Sequence, residues 1–289
     1  MPSSRELRNR IRGVDSTRKI TRAMELVATS RLRRSQEAAL ARRPYADKIN
    51  DVIRDLMEST PPDEGVPTLM ESRQIQRRVA VILTTNRGLC GALNINTVRF
   101  ALEHLQTVRG EAAELVLVGI GKVGLRMLAG AERIIASFTD ISDRPGMDDV
   151  LPLARLVIDG FEAAEFDAVD VIYPEFVNTL VQRPVRFQLL PVVLPEEAEI
   201  RSPVQYLYEP NAMQVLDSLL PRYVEMELYR AVLELTACEQ SARMVAMRSA
   251  TENANDLIDD LRLTYNRQRQ SAITSEMIDI ASGANALAQ

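Results

Sequence analysis

The 289-residue chain has no tryptophan, one histidine and two cysteines, and aromatic residues make up only 4% of it. Cys90 and Cys238 stand far apart without metal-ligand spacing, so neither a disulfide framework nor a zinc site is expected; both read as packed small hydrophobes. The lone His104 lies beside Glu103 in a helical stretch with no second histidine or serviceable cysteine nearby, which favours a surface or half-buried position over catalysis. No apolar run reaches the roughly eighteen residues of a transmembrane helix, so no direct membrane insertion is expected. The opening residues MPSSRELRNRIRGVDS lack the apolar core of a secretory signal, which argues for an intracellular protein. There is no G-x-x-x-x-G-K-[ST], and hence no nucleotide hydrolysis by a P-loop. Proline is absent after Pro221, and Gly283 is the only glycine beyond it.

That last absence reads as one uninterrupted helix from Pro221 to about Leu287. At ~1.5 Å per residue it would be roughly 100 Å long, more than a globular domain of this size encloses. Val224, Leu228, Ala231, Leu235, Cys238, Ala242 and Val245 form a heptad seam in it, which degrades after Ser249 into a run polar on too many faces for a core helix. A second long helix is expected from Ser3 or Ser4 to about residue 58, with Leu7, Ile11 and Val14, then Ile20, Met24 and Val27, on its apolar face. Neither helix carries enough apolar surface to stand alone, and an antiparallel coiled coil of the two is the expected arrangement.

Between them the period changes. Ser59 to Arg73, with three prolines and Gly65, reads as a linker. Strands are expected at Arg78–Thr84, Leu115–Val118, Ile134–Phe138, Ala168–Tyr173 and Val185–Val193, alternating with helices at Asn94–Val108, Gly121–Ala131 and Asp148–Ala164. That alternation implies an α/β, Rossmann-like domain over residues 74–200 with a mostly parallel sheet. The expected division is thus a helix over 1–58, a linker over 59–73, the α/β domain, and a foot segment plus long helix over 201–289.

Charge is uneven. Residues 1–43 hold twelve Arg or Lys against four Asp or Glu, a balance of +8, so residues 44–289 carry −13 of the net −5. A basic arm on an acidic chain suits an acidic partner, or is simply a solvated helix face. No aromatic residue accompanies it, so there is no stacking platform for nucleic acid. Asp256, Asp259 and Asp260 read as a solvated or partner-facing stripe. Gly119, Gly121 and Gly124 match G-x-G-x-x-G after a strand, with Asp140 placed where a ribose-binding acid would stand. The match sits on the second strand rather than the first, and Lys122 occupies a position usual for a small residue, which favours a tight strand-to-helix turn. A soluble dinucleotide-binding protein with helical dimerisation arms is the alternative reading. The loop Thr85–Asn94, with two glycines around Arg87 and Cys90, would form an anion site or a tight crossover.

That loop, TNRGLCGALN, has company. RNRIRGVDSTRKITRAMELVATSRLRRSQ near the start, FVNTLVQRPVRFQLLP from Phe176, and ARMVAMRSATENANDLIDDLRLTYNRQRQSAITSEMIDIASGANAL near the end complete four motifs in order, spanning essentially the whole chain. Together they closely resemble the gamma subunit of F-type ATP synthases. Gly91-Ala92 stands where that family commonly has Gly-Gly, and the redox dithiol of chloroplast relatives has no counterpart in Cys90 and Cys238.

The resemblance implies a non-catalytic rotor shaft without cofactor or metal. Its terminal helices would turn inside a ring of alpha and beta subunits, and its α/β domain would sit at the foot with the epsilon subunit and the membrane c-ring. It implies a peripheral location on the cytoplasmic face of a bacterial plasma membrane. It also implies contact with the beta subunits by Arg243, Arg269, Gln270 and Thr274, by Met24, and by Arg10, Arg18, Lys19, Arg22, Arg31, Arg33 and Arg34 of the basic arm. Tyr206, Tyr208 and Glu209 would face the c-ring and epsilon, and Ile273 to Leu287 would occupy an apolar bearing sleeve.

Overall fold

The computed structural model describes residues 4–59, 65–110, 114–193, 208–209 and 211–287. Two long helices bracket an α/β core: α1 runs Ser4–Ser59 and α5 runs Ala212–Leu287, 76 residues. Between them come β1 (Arg77–Leu83), α2 (Leu93–Val108), β2 (Glu114–Ile120), α3 (Lys122–Leu128), β3 (Arg133–Phe138), α4 (Leu151–Glu162), β4 (Ala168–Phe176) and β5 (Gln182–Leu190). The sheet order is β3-β2-β1-β4-β5; β1 pairs in parallel with β2 and β4, β2 with β3, and only β5 runs antiparallel, against β4. The chain divides into two compact units, Met1–Ala28 with Met244–Gln289, and Thr29–Arg243.

In the larger unit, period-two alternation sends β-branched side chains to both faces of the sheet. Val79, Val81, Leu83, Val116, Val118, Val169 and Val171 pack beneath α4, the later turns of α1 (Ile53, Leu56) and the early turns of α5. Ala80, Ile82, Leu117 and Ile172 pack on the opposite face against Val98, Ala101 and Leu105 of α2 and Leu128 of α3. Burial on both faces is why these strands are apolar runs rather than alternating ones.

Helix α5 starts nine residues before Pro221, which lies inside it instead of opening it. A proline in a helix interior costs ~3 kcal/mol. Leu216, Leu220, Val224 and Leu228 around it are each at most 1% exposed, and at ~1.5–3 kcal/mol per buried side chain they outweigh that cost.

The smaller unit is an antiparallel pair. Arg8 meets Tyr265, Thr21 meets Thr251 and Glu25 meets Arg248, so each advance along α1 is a retreat along α5. The seam differs from the one expected. On α1 it follows Leu7, Ile11, Val14, Arg18, Thr21, Glu25 and Ala28, all buried or half-buried at alternating steps of four and three. Ile20 and Val27, expected on the inner face, are 58% and 53% exposed. On α5 the heptad does not fade after Ser249: Met244, Met247, Thr251, Ala254, Ile258, Leu261 and Tyr265 continue it. The polar members hid it: Thr21 and Thr251 satisfy each other, Glu25 is met by Arg248 and Tyr265 by Arg8 across the pair, while Arg18 is held by Asp15 on its own helix.

Candidate functional site

The carboxyl ends of β1 and β4 are where an open α/β sheet of this order would take a nucleotide. Here α5 closes that place. Cys238 Sγ donates to Pro174 O at 3.2 Å, the Phe176 N–H donates to Glu234 Oε2 at 2.8 Å, and Ser241 Oγ donates to Thr179 O at 2.8 Å. Cys90, Leu93 and Cys238 form an apolar plug over the strand ends, with Phe176 and Ala242 packed on it. Burial pushes both thiols up, so they remain protonated and serve as packing.

The glycine pattern at 119 to 124 serves the same closure, which corrects the dinucleotide alternative. Gly121 has φ +86°, and a Cβ there would fall on the Thr84 carbonyl; a Cβ on Gly124 would fall on the Thr84 side chain. The N-terminal amides of α3 are already taken. Lys122 N donates to Asn86 Oδ1 at 3.2 Å, Val123 N to Thr85 O at 3.1 Å, and Gly124 N to Thr84 Oγ1 at 3.1 Å. A pyrophosphate would find these donors occupied by the chain itself. Asp140 is exposed.

The Thr85–Asn94 loop is a tight crossover. Asn94 receives the Thr85 N–H at 3.0 Å and returns its amide to Thr85 Oγ1 at 2.8 Å, while Leu89 takes φ 62° and Gly91 φ 58°. Arg243, only 8% exposed, reaches back from α5 to donate to Gly88 O at 3.1 Å and to Glu239 Oε1 at 2.6 Å. Its guanidinium is therefore engaged within its own chain. The loop displays Arg87 and Leu89 outward, and Arg87 lies 3.4 Å from Asp143.

The other expected contact residues divide by exposure. Arg10, Lys19, Arg22, Arg33 and Arg34 on α1 are exposed, while Arg18 and Arg31 are half-buried. Arg18 and Lys19 both hold Asp15, at 2.8 and 2.9 Å, and hydrogen bonds from Lys19 and then Arg18 keep its carboxyl below the usual range. Arg31 pairs with Asp143 at 2.7 Å, and Arg33 with Glu37 at 2.9 Å. Met24 is half-buried on the two-helix unit. Arg269, Gln270 and Thr274 are all exposed on α5, where Ile273, Met277, Ile278 and Ile280 are also 48–68% exposed. Tyr206 lies outside the described residues; Tyr208 packs half-buried on the main core, and Glu209 is exposed.

Two charged arrangements escaped the sequence reading. Buried Asp170 on β4 accepts from Arg78 Nη1 of β1 at 2.9 Å and Arg186 Nη2 of β5 at 3.0 Å, and lies 2.9 Å from His104 Nε2 of α2. His104 is thus half-buried, as expected, but engaged in tying four elements together. In the smaller unit, Glu25 is 4% exposed and accepts from Arg22 Nη1 at 2.7 Å and Arg248 Nε at 3.2 Å. Burial pushes its carboxyl up, but the hydrogen bonds from Arg22 and Arg248 outweigh burial and hold it below the ordinary value. Among the described residues no group of His, Cys, Asp or Glu is placed to hold a metal, and no helix is long and apolar enough to cross a membrane.

Comparison with known proteins agrees with this geometry. A family model described as ATP synthase matches residues 3–287. The ATP synthase gamma chain of Acidithiobacillus ferrooxidans is 44% identical over 99% of this chain and 100% of its own length. That of Roseiflexus castenholzii is 46% identical over 100% of both. Among solved structures, a chain of the Euglena gracilis mitochondrial ATP synthase (OSCP/F1/c-ring) aligns with TM-score 0.65 at 19% identity, covering 98% of this chain and 94% of that one. A chain of the Tetrahymena thermophila mitochondrial ATP synthase central stalk and c-ring aligns with TM-score 0.58 at 21% identity, covering 80% and 99%. A chain whose first and last helices pair antiparallel, whose sheet has its ligand crevice sealed by α5, and which matches these gamma chains over 99–100% of its length belongs to the gamma-chain family of ATP synthases.

Proposed function

We propose that this chain is the central rotor shaft of an F-type ATP synthase: non-catalytic itself, it couples rotation of a membrane c-ring to conformational changes of catalytic beta subunits. The observation that carries this reading is the full-length match at 44–46% identity to gamma chains. The physical character of the two-helix unit supports it. A shaft must hold its register under torque and still slip past its bearing. Its seam combines apolar layers with paired polar ones, and its outside is largely polar.

The ring of alpha and beta subunits is the partner of the two-helix unit, and epsilon and the c-ring are partners of the foot; the division is a shaft helix over 1–58, a linker over 59–73, the α/β domain over 74–200, and the foot segment with the long shaft helix over 201–289. Arg10, Lys19, Arg22, Arg33 and Arg34, together with Arg269, Gln270 and Thr274, are exposed and suited to beta-subunit carboxylates. Exposed ion pairs contribute on the order of 1 kcal/mol or less each, weak enough to be made and broken at every turn. Arg18 and Arg31 reach the same partners only by sharing Asp15 and Asp143. Arg243 acts from within, bracing the Gly88 loop. The exposed Ile273, Met277 and Ile280 suit an apolar sleeve. Tyr208 and Glu209 mark the foot, and the assembly is peripheral to the cytoplasmic face of a bacterial plasma membrane.

Two experiments test the reading. Affinity-tagged chain from its native cells recovers alpha and beta subunits; recovery as a free monodisperse protein that binds NAD overturns it. Met24→Lys places a new cation opposite beta carboxylates and holds one rotational state, so fewer ions are pumped per ATP hydrolysed in the reconstituted complex; an unchanged ratio removes Met24 from the contact.

A further inference from the structure

A coiled-coil seam has little use for a carboxylate. Glu25 occupies a seam position at 4% exposure, where leucine would pack without desolvating a charge. What distinguishes it is what it holds. Arg22 and Arg248 each place one nitrogen on Glu25, at 2.7 and 3.2 Å, yet the two arginine side chains are 58% and 57% exposed. A guanidinium has five N–H donors in a planar fork, so each arginine keeps most of its hydrogen-bonding capacity for another acceptor. Both line a groove of about 260 Å³ together with Arg18, Thr251, Glu252 and Asn255. Thr21 and Thr251, their hydroxyls 2.8 Å apart, fix the adjoining layer of the seam, so the two arginines are displayed from opposite helices at one level.

We propose that Glu25 is the resident counter-ion of an exchangeable carboxylate site, holding Arg22 and Arg248 ready for an acidic side chain of the surrounding ring. The proposal rests on the shaft reading above, and it adds a positioning residue and a mechanism of release. Charge complementarity selects the occupant: a carboxylate matches the free edges of two guanidiniums in geometry and sign. Glu25 then acts as a built-in competitor. It takes the arginines back when the partner carboxylate leaves, which keeps the pairing weak and the shaft free to turn. In the absence of Glu25 the two cations bind the partner more firmly and hold the rotor at that angle.

The test uses the complete complex reconstituted with this chain and follows ATP hydrolysis as ionic strength is raised. Glu25→Gln preserves shape and one acceptor oxygen while removing the competing charge; kcat is expected to fall about 3-fold at low salt and to converge on the parent value by roughly 0.3 M, where exposed pairs are screened. Arg248→Gln removes one of the two cations, so it raises kcat at low salt and gives a shallower salt dependence. Opposite signs from the two variants are the signature of exchange. A merely structural clasp gives losses of the same sign in both, insensitive to salt, and that result overturns the proposal; Glu25→Asp, which keeps the charge, then fails to restore the parent salt profile. If the parent chain does not assemble with the ring, the shaft reading itself fails. If it assembles and turns over while all three variants match it at every salt concentration, only the exchange site is refuted.

Discussion

Replacing Asp170 by asparagine isolates the buried charge network from everything else in the sheet. The side chain is fully buried and its two oxygens face Arg78, Arg186 and His104. Arg186 is 36% exposed and can turn to water, so its share of the loss is small. Arg78 is 5% exposed and cannot. Removing the anion opposite a buried cation costs about 3–5 kcal/mol, whereas replacing both ions by apolar groups is often neutral. For a chain of this size each kcal/mol moves Tm by ~2–4 °C, so Asp170→Asn should lower it by roughly 6–20 °C. Urea and thermal melts of the purified chain, followed by circular dichroism, measure this. Asp170→Asn combined with Arg78→Met should recover most of the loss, because the stranded cation is gone. A single variant within ~1 kcal/mol of the parent, or a double variant no better than the single, would refute the account of Asp170 as the anchor of β1, β4 and β5.

Three further outcomes are expected. Gly121→Ala combines a positive φ with extended ψ, about 1–3 kcal/mol, with overpacking against the Thr84 carbonyl, about 1–3 kcal/mol, and should destabilise the chain by roughly 2–6 kcal/mol in urea titration; a neutral effect would reopen the nucleotide-cradle reading. Because the Glu25 carboxyl is held below its ordinary value of 4.5, its contribution to the two-helix unit is fully present above that pH and is lost as pH falls through the lower folded value. Hydrogen exchange at residues 7–28 should accordingly show a steeper loss of protection below about pH 4.5 in the parent than in Glu25→Gln, and parallel profiles would contradict it. Cys90 and Cys238, buried and with thiols pushed up, should react with a thiol reagent at neutral pH at least ~100-fold more slowly in the folded chain than in urea; rapid labelling would mean that α5 lifts readily off the strand ends.

Local signals were enough for much of this protein. The absence of helix breakers at both ends, the apolar runs near residues 78, 115 and 168, and the alternation between them were legible as two long helices around a parallel sheet, because helix and strand periodicity are properties of neighbouring residues. The four motifs carried the family. What the sequence withheld is what two distant segments do together. The seam could not be followed through Thr21 and Glu25, nor past Ser249 on α5, because a polar residue is tolerable there only when its partner, more than two hundred residues away, completes it. Ile20 and Val27 attracted the reading simply by being hydrophobic, and both turned out exposed. Pro221 looked like a boundary until the burial around it was known. The glycines near residue 121 fitted a phosphate cradle as well as the favoured tight turn, and Thr84, filling the space beside them, decided for the turn. That Arg243 also reaches Gly88, 155 residues earlier, was not legible from its neighbours in sequence. Chemistry and period are written along the chain; which charges face each other, and which crevice is closed, is decided only when segments far apart in sequence pack together.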